Sequence, residues 1–394
     1  MKKYLLLLLC LLSLTGCEKK EKLPEGSYID TMDVVVNSDV ELKDVIDTNL
    51  EIENKDTKLD TKTVGEQHVK VHYKNNNDKT KTYDIKYNVV DNIKPIFLSA
   101  PSTIYRLINE DSNPCDSISF ADNYSKVPTC EIEGDYDISV VGDYKVKYVI
   151  KDDAGNKNEK NLTLKIVEAY PEVNKSNIVS EMIPISTLIE KYKNDNTEIG
   201  IDISKFQGDI DYNLVKNAGA EFVMMRIGVS NSPEQEISID SKYLQNIQNA
   251  KAVGLKVGVY LYTTATSVES GIDAANWVLN TLNGEELDYP IVFDWENWSK
   301  FRRYEISLTD LNDTFIAFAD TIKNNSNYKV MLYGSKFYLE NVWEDRIKDN
   351  YPIWLAHYTN KMTDYKGKFY MWQTCSDGRI DGINGDVDMD ILFK

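Results

Sequence analysis

Two acids one residue apart close an apolar run, Pro290-Ile291-Val292-Phe293-Asp294-Trp295-Glu296. In extended backbone, positions i and i+2 share a face, so Asp294 and Glu296 project together. Neighbouring carboxylates repel when both are ionised, so one of them keeps its proton near neutral pH, as a general acid must. A glycosidic oxygen needs such a donor when its bond breaks. Other acids occupy comparable places: Asp202 in Gly200-Ile201-Asp202-Ile203-Ser204, and Asp388 with Asp390 in Val387-Asp388-Met389-Asp390. The added charge of Asp390 is expected to face solvent. Ring-bearing residues crowd the same segments, namely Tyr260, Tyr262, Trp295, Tyr333, Trp354, Tyr358 and Trp372. Apart from Trp372, which reads as core, they offer flat faces on which the CH groups of a sugar can stack.

These residues need a frame to bring them together. Short apolar runs recur at 199–203, 222–227, 257–262, 291–295, 330–333, 353–356, 370–373 and 387–392, and amphipathic stretches such as 243–253, 268–282 and 311–322 fill several of the earlier gaps. Strand–helix alternation predicts a parallel sheet with helices outside it, and eight strands predict closure into a barrel. In such a barrel the site lies at the carboxyl ends of the strands, where these acids fall. Residues 198–394 are fewer than the ~250 of a full eightfold barrel, so some late helices are expected to be missing.

The rest of the chain reads as delivery. Its 394 residues carry 45 Lys and Arg against 63 Asp and Glu, a net charge of -18, which argues against nucleic acid as a partner. Three His and scattered Cys supply too few ligands for the usual metal sites, so neither metal nor cofactor is expected. Lys2 and Lys3 precede an apolar run too short to span a bilayer, and Leu14-Thr15-Gly16-Cys17 resembles a bacterial lipobox, so residues 1–16 read as a lipoprotein signal and Cys17 as the lipidated residue. The expected product is anchored on the outer face of the membrane, with 17–28 as a tether. Residues 64–74 recur as 141–151, each copy alternating apolar and polar and each followed by a polar turn and a second alternating run, so domains at 29–92 and 93–168 are expected to end in hairpins. Export permits a disulfide, and Cys115 with Cys130 is the expected pair, leaving Cys375 as a buried small hydrophobe. Residues 169–197 read as a partly helical linker.

Two resemblances follow from these patterns. The repeated segments resemble the small immunoglobulin-like sandwich domains of bacterial surface proteins, used here as spacers. Gly200-Ile201-Asp202-Ile203-Ser204 with Phe206-Gln207-Gly208, then Phe222 to Gly228, Gly258-Val259-Tyr260-Leu261-Tyr262, Asp294-Trp295-Glu296, Trp354-Leu355-Ala356, Trp372-Gln373 and Val387-Asp388, resemble glycoside hydrolase family 25, the lysozymes of the Chalaropsis type. That resemblance implies a TIM-like (β/α)5(β)3 barrel and a muramidase that cuts the β-1,4 bond between N-acetylmuramic acid and N-acetylglucosamine in peptidoglycan. It implies Glu296 as acid/base, Asp294 as the acid that steers the 2-acetamido group, Asp202 and Asp388 as further site carboxylates, and Arg226 and Gln373 beside Tyr260, Tyr262, Trp295, Tyr333, Trp354 and Tyr358 in substrate binding. Substrate assistance and inversion through water are both compatible with these motifs. The expected role is local remodelling of the wall. The alternative is a wall-binding or adhesion lipoprotein that does not cut.

Overall fold

The computed structural model describes residues 23–75, 77–172 and 183–394. The signal segment, Cys17 and the start of the tether lie outside the described residues, as do positions 173–182 of the linker. Among the described residues, no helix is long and apolar enough to cross a membrane. The chain divides after Asn92 into two compact units.

In the first unit, the alternating runs form a hairpin of Gly65–Lys74 and Thr80–Val90, in continuous register from Gly65 opposite Val89 to Lys74 opposite Thr80. Period two puts Val71, Tyr73, Ile85, Tyr87 and Val89 in the core and leaves the intervening polar residues outside. Val34–Val35 adds to this sheet in parallel, and Ile29–Thr31 pairs with Ile46–Thr48 in a second small sheet.

The second unit begins with the other copy of that hairpin, Gly142–Lys151 with Lys157–Val167, flanked by Thr103–Leu107 and Thr129–Glu133. Cys115 and Cys130 are bonded, with Cα atoms 6.0 Å apart. In the chain-entropy account, closing a loop of this size contributes about 3 kcal/mol. This module packs on the barrel that follows: Leu98 and Ala121 join the barrel's outer core, and the Arg302 guanidinium lies 4.9 Å from the Phe120 ring centroid. Leu308 N donates to Asp122 O at 2.8 Å, and Lys126 pairs with Asp310 at 3.3 Å. Its contacts therefore fall on the segment that follows Glu296.

Among the described residues, eight strands close the barrel: β1 (Thr197–Ile203), β2 (Phe222–Val229), β3 (Lys256–Tyr262), β4 (Ile291–Asp294), β5 (Val330–Ser335), β6 (Ile353–Ala356), β7 (Met371–Arg379) and β8 (Val387–Phe393). β1 to β7 pair in parallel in chain order, and β8 runs antiparallel between β7 and β1. Helices α1 (Tyr212–Asn217), α2 (Tyr243–Ala252), α3 (Val268–Leu282), α4 (Leu308–Asn325) and α5 (Lys336–Asn341) follow the first five strands, and the described residues 357–370 and 380–386 hold none. The result is a β-rich closed barrel rather than a regular eightfold β/α barrel, because those two connections are short and turn-rich. Serine caps start the two long helices, Ser267 accepting from Ser270 N and Ser307 from Asp310 N.

Both faces of the strands are buried, so their sequences are nearly continuous apolar runs. Phe222, Met224, Tyr260, Val292, Met331 and Leu392 fill the barrel, while Val223, Met225, Phe293 and Leu332 face the helices. Small residues on the inner face make room for this filling. A Cβ at Gly200 would lie 2.5 Å from the Phe222 ring, and one at Gly258 would lie 2.5 Å from the Met224 sulfur.

Candidate active site

Alternation continues past the end of β4. Val292 points into the barrel and Phe293 out, so Asp294 points in, Trp295 out, and Glu296 reaches the mouth. The ladder between β1 and β8 sets Asp202 opposite Asp388, and the ladder between β7 and β8 sets Gln373 opposite Asp390. These registers gather Asp202, Asp294, Glu296, Asp388 and Asp390 at one end of the barrel, close enough that the charge of Asp388 acts on each of the other four.

Their environment favours the neutral forms. Burial and the charges of Asp388 and Asp390 hold the Asp202 carboxyl well above the usual carboxylate range. Asp294 is raised by burial and by Glu296, against a partial offset from Arg226. Glu296 is raised by the protein walls around its carboxyl and by Asp388, although a hydrogen bond with Tyr333 pulls the other way. Burial lifts Asp388 to about 6. An acid can therefore stay protonated at this mouth near neutral pH, as proton donation to a leaving oxygen requires. Asp294 Oδ1 is buried without a hydrogen-bond partner among the described residues, so a donor on a bound molecule would satisfy it.

A polar network holds the opposite wall. The hydroxyls of Tyr333 and Tyr358 both donate to Gln373 Oε1 at 2.9 Å, and Gln373 Nε2 donates to Asp202 Oδ2 at 2.8 Å. Beside it, Trp354 Nε1 donates to Asp390 Oδ1 at 2.8 Å.

Several expected contacts are corrected by this geometry. Trp295 is fully buried among Trp298 and Phe301, with Nε1 donating to Ala265 O at 3.0 Å, because it lies between two inward-facing acids and must point outward. Trp354 is buried inside the barrel and holds Asp390, so it offers no stacking face. Buried Arg226 is committed to Asp240 through Nε at 2.8 Å, so it acts on the site through its charge on Asp294. Gln373 is buried and grips Asp202. Asp390, expected to face solvent, has no exposed surface, since it lies on the same face of β8 as Asp388. Tyr260 is buried at the floor of the mouth against Trp354.

The open rings lie in a groove lined by Tyr262, Glu296, Trp298, Tyr333, Phe337, Tyr338 and Tyr358. Tyr358 and Phe337 are exposed there, and Trp298 stacks on Tyr338 with centroids 3.7 Å apart. Trp298, Phe337 and Tyr338 were not anticipated from the sequence, because they sit on loop and helix positions that no strand alternation marks. Outside this groove, Phe206 is 77% exposed, with the Arg226 guanidinium 5.1 Å from its ring centroid.

The pattern that defines Glycosyl hydrolases family 25 matches residues 201–383, a span that includes Asp202, Asp294, Glu296 and Gln373. The barrel is thus similar over most of its length to the family 25 glycoside hydrolases, among them lysozymes. The chain is 28% identical over 195 residues to the uncharacterized protein YegX of Escherichia coli (strain K12), covering 49% of this chain and 68% of YegX. It is 29% identical over 191 residues to the autolytic lysozyme of Clostridium acetobutylicum, covering 48% of this chain and 54% of that protein. A crystal structure of the bacterial lysozyme from Streptomyces coelicolor is 25% identical, with a TM-score of 0.45 over 51% of this chain and 94% of that one. These likenesses concern about half of the chain. The family pattern spans the barrel residues that carry Asp202, Asp294 and Glu296 and leaves residues 23–172 outside it.

Proposed function

We propose that this protein is a membrane-anchored peptidoglycan muramidase that hydrolyses the β-1,4 bond after N-acetylmuramic acid, for local remodelling of the wall. The observation that carries the reading is the convergence of Asp294 and Glu296 with Asp202 and Asp388 beside a groove of open rings. Glu296 reaches the groove and donates its proton to the glycosidic oxygen, leaving as a carboxylate that later accepts a proton from water. Asp294, with its unpartnered oxygen, takes the acetamido N–H of the sugar and so orients it toward the anomeric carbon. Tyr262, Tyr333 and Tyr358 form the walls against which the glycan lies.

Lipidation at Cys17 and immunoglobulin-like spacer modules complete the reading: they place a cutting domain within reach of the wall above the membrane that carries it. The test is digestion of purified peptidoglycan, with the soluble fragments resolved by mass spectrometry. Fragments ending in reducing N-acetylmuramic acid are expected. Binding to the wall without release of such fragments would overturn the reading in favour of a non-catalytic wall-binding lipoprotein.

A further inference from the structure

The connection that follows Glu296 is held from two sides. It runs from Asn297 to Ser307, passing through Trp298 and a short helical turn, Phe301–Tyr304, before α4 begins at Leu308. The barrel fixes its first part: Trp298 lies edge-on to Trp295 and stacks on Tyr338 in the groove, and Phe301 is buried against Trp295. The module of residues 93–168 fixes the rest.

The first N–H groups of a helix have no partner within it. In α4, Leu308 N donates to Asp122 O at 2.8 Å and Thr309 N to Asn123 O at 3.4 Å, so carbonyls of the module take two of them. Those carbonyls sit in a turn pinned by the Asp122 carboxylate, whose Oδ2 accepts from Tyr124 N at 2.9 Å and from Ser125 N at 2.7 Å. Just before the turn, the strand Ser119–Ala121 sets the ring of buried Phe120 against the Arg302 guanidinium, 4.9 Å from the ring centroid. Leu98 and Ala121 join the barrel's outer core, and the ion pair of Lys126 with Asp310 closes the edge. A spacer needs only a linker, and modules joined that way move independently. Backbone hydrogen bonds, a cation over a ring and shared apolar core instead fix one geometry.

We propose that the module 93–168 is a working part of the glycan-binding site, with Phe120 and Arg302 as positioning residues. By holding the far end of the connection it keeps Trp298 against Tyr338, beside Glu296, while neither Phe120 nor Arg302 lines the groove. This inference deepens the muramidase reading and rests on it for its kinetic consequence, whereas the clamp itself can be measured without turnover.

The experiment uses the full-length protein and two readouts. Trypsin needs an opened backbone to cut after Arg303, so the rate at that bond reports the clamp. Phe120→Leu keeps an apolar group in place but withdraws the ring, and it should raise that rate about fivefold or more, while Arg302→Lys, which keeps a cation over the ring, should stay near wild type. On soluble glycan chains, Phe120→Leu and Arg302→Ala should each raise KM about five- to tenfold with kcat within about twofold. The double variant should raise KM no further, because the two residues act through one contact. A module that only stabilises the chain would lower the melting temperature of Phe120→Leu and leave KM in place. Unchanged KM in both single variants, or a double variant whose effect is the product of the singles, would overturn the proposal, as would wild-type cutting in Phe120→Leu. Should Glu296→Gln cleave glycan as fast as wild type, the muramidase reading falls, but the trypsin rates still decide whether the module holds the connection.

Discussion

The two ends of β1 carry inward-facing acids in opposite company. At the bottom, Glu198 is buried, yet Lys256 reaches it at 2.5 Å, Lys394 at 3.3 Å and the Tyr289 hydroxyl at 2.5 Å. Burial alone would raise its pKa, and these hydrogen bonds overcome that and bring it down to about 2. Four residues along the same strand, Asp202 is equally buried but meets acids, an amide and no paired cation, and its pKa moves up. Burial is common to both ends, so it does not separate a structural acid from a reactive one. Cations do: the acid that holds the barrel shut is given lysines, and the acids at the mouth are left without them, so they retain protons that chemistry can use.

Glu296→Gln is the sharpest way to break that contrast, since it removes the proton and keeps the shape. Its cleavage rate should fall about 10² to 10⁴-fold, measured as release of reducing ends, with the melting temperature at least as high as that of wild type. Next in size is Asp294→Asn, whose kcat should drop about 10²-fold or more because the amide cannot offer the same charge to the transition state.

Much of this contrast is legible in the sequence, and the rest fails for identifiable reasons. Period two gives both hairpins, 65–90 and 142–167, and it gives the shared face of Asp294 and Glu296. The same rule, carried one step further, places Trp295 outward, away from any sugar, and Asp390 inward, away from solvent. Trp354 obeys the same alternation, inward between outward Ile353 and Leu355, and what the sequence does not show is that its indole bonds Asp390 from another strand. The docking of the second module is not legible at all. Phe120, Lys126, Arg302 and Asp310 are far apart in the chain and share no repeating pattern, and only the folded surface brings them together.

The bottom of the barrel offers the complementary test. Glu198→Ala should cost about 1–3 kcal/mol of stability, since it removes three hydrogen bonds to a buried carboxylate, while kcat stays within about twofold. A fall in kcat with unchanged stability would erase the distinction between the two ends.

The smallest expected effect is on the pH dependence of stability. Asp202, Asp294 and Asp390 have pKa values raised above those of the unfolded chain, so the native state holds protons that the unfolded state has released. Their favourable contribution is fully present below about pH 4, the unfolded aspartate value, and is lost as pH rises through the native values. The melting temperature of wild type should therefore decline from about pH 5 to 8, and Asp294→Asn should flatten the decline and stand about 3 °C or more above wild type at the upper end. Glu198 has the opposite sign: its contribution is present above about pH 4 and is lost as pH falls toward 2.

The central claim is that the uncompensated acids at the mouth break glycosidic bonds. Purified peptidoglycan incubated at neutral pH with wild type or Glu296→Gln, followed by counting new reducing ends, tests it most directly. Steady release by wild type and about 10³-fold slower release by the variant are predicted. Equal rates from the two proteins, or no release by either, would contradict it.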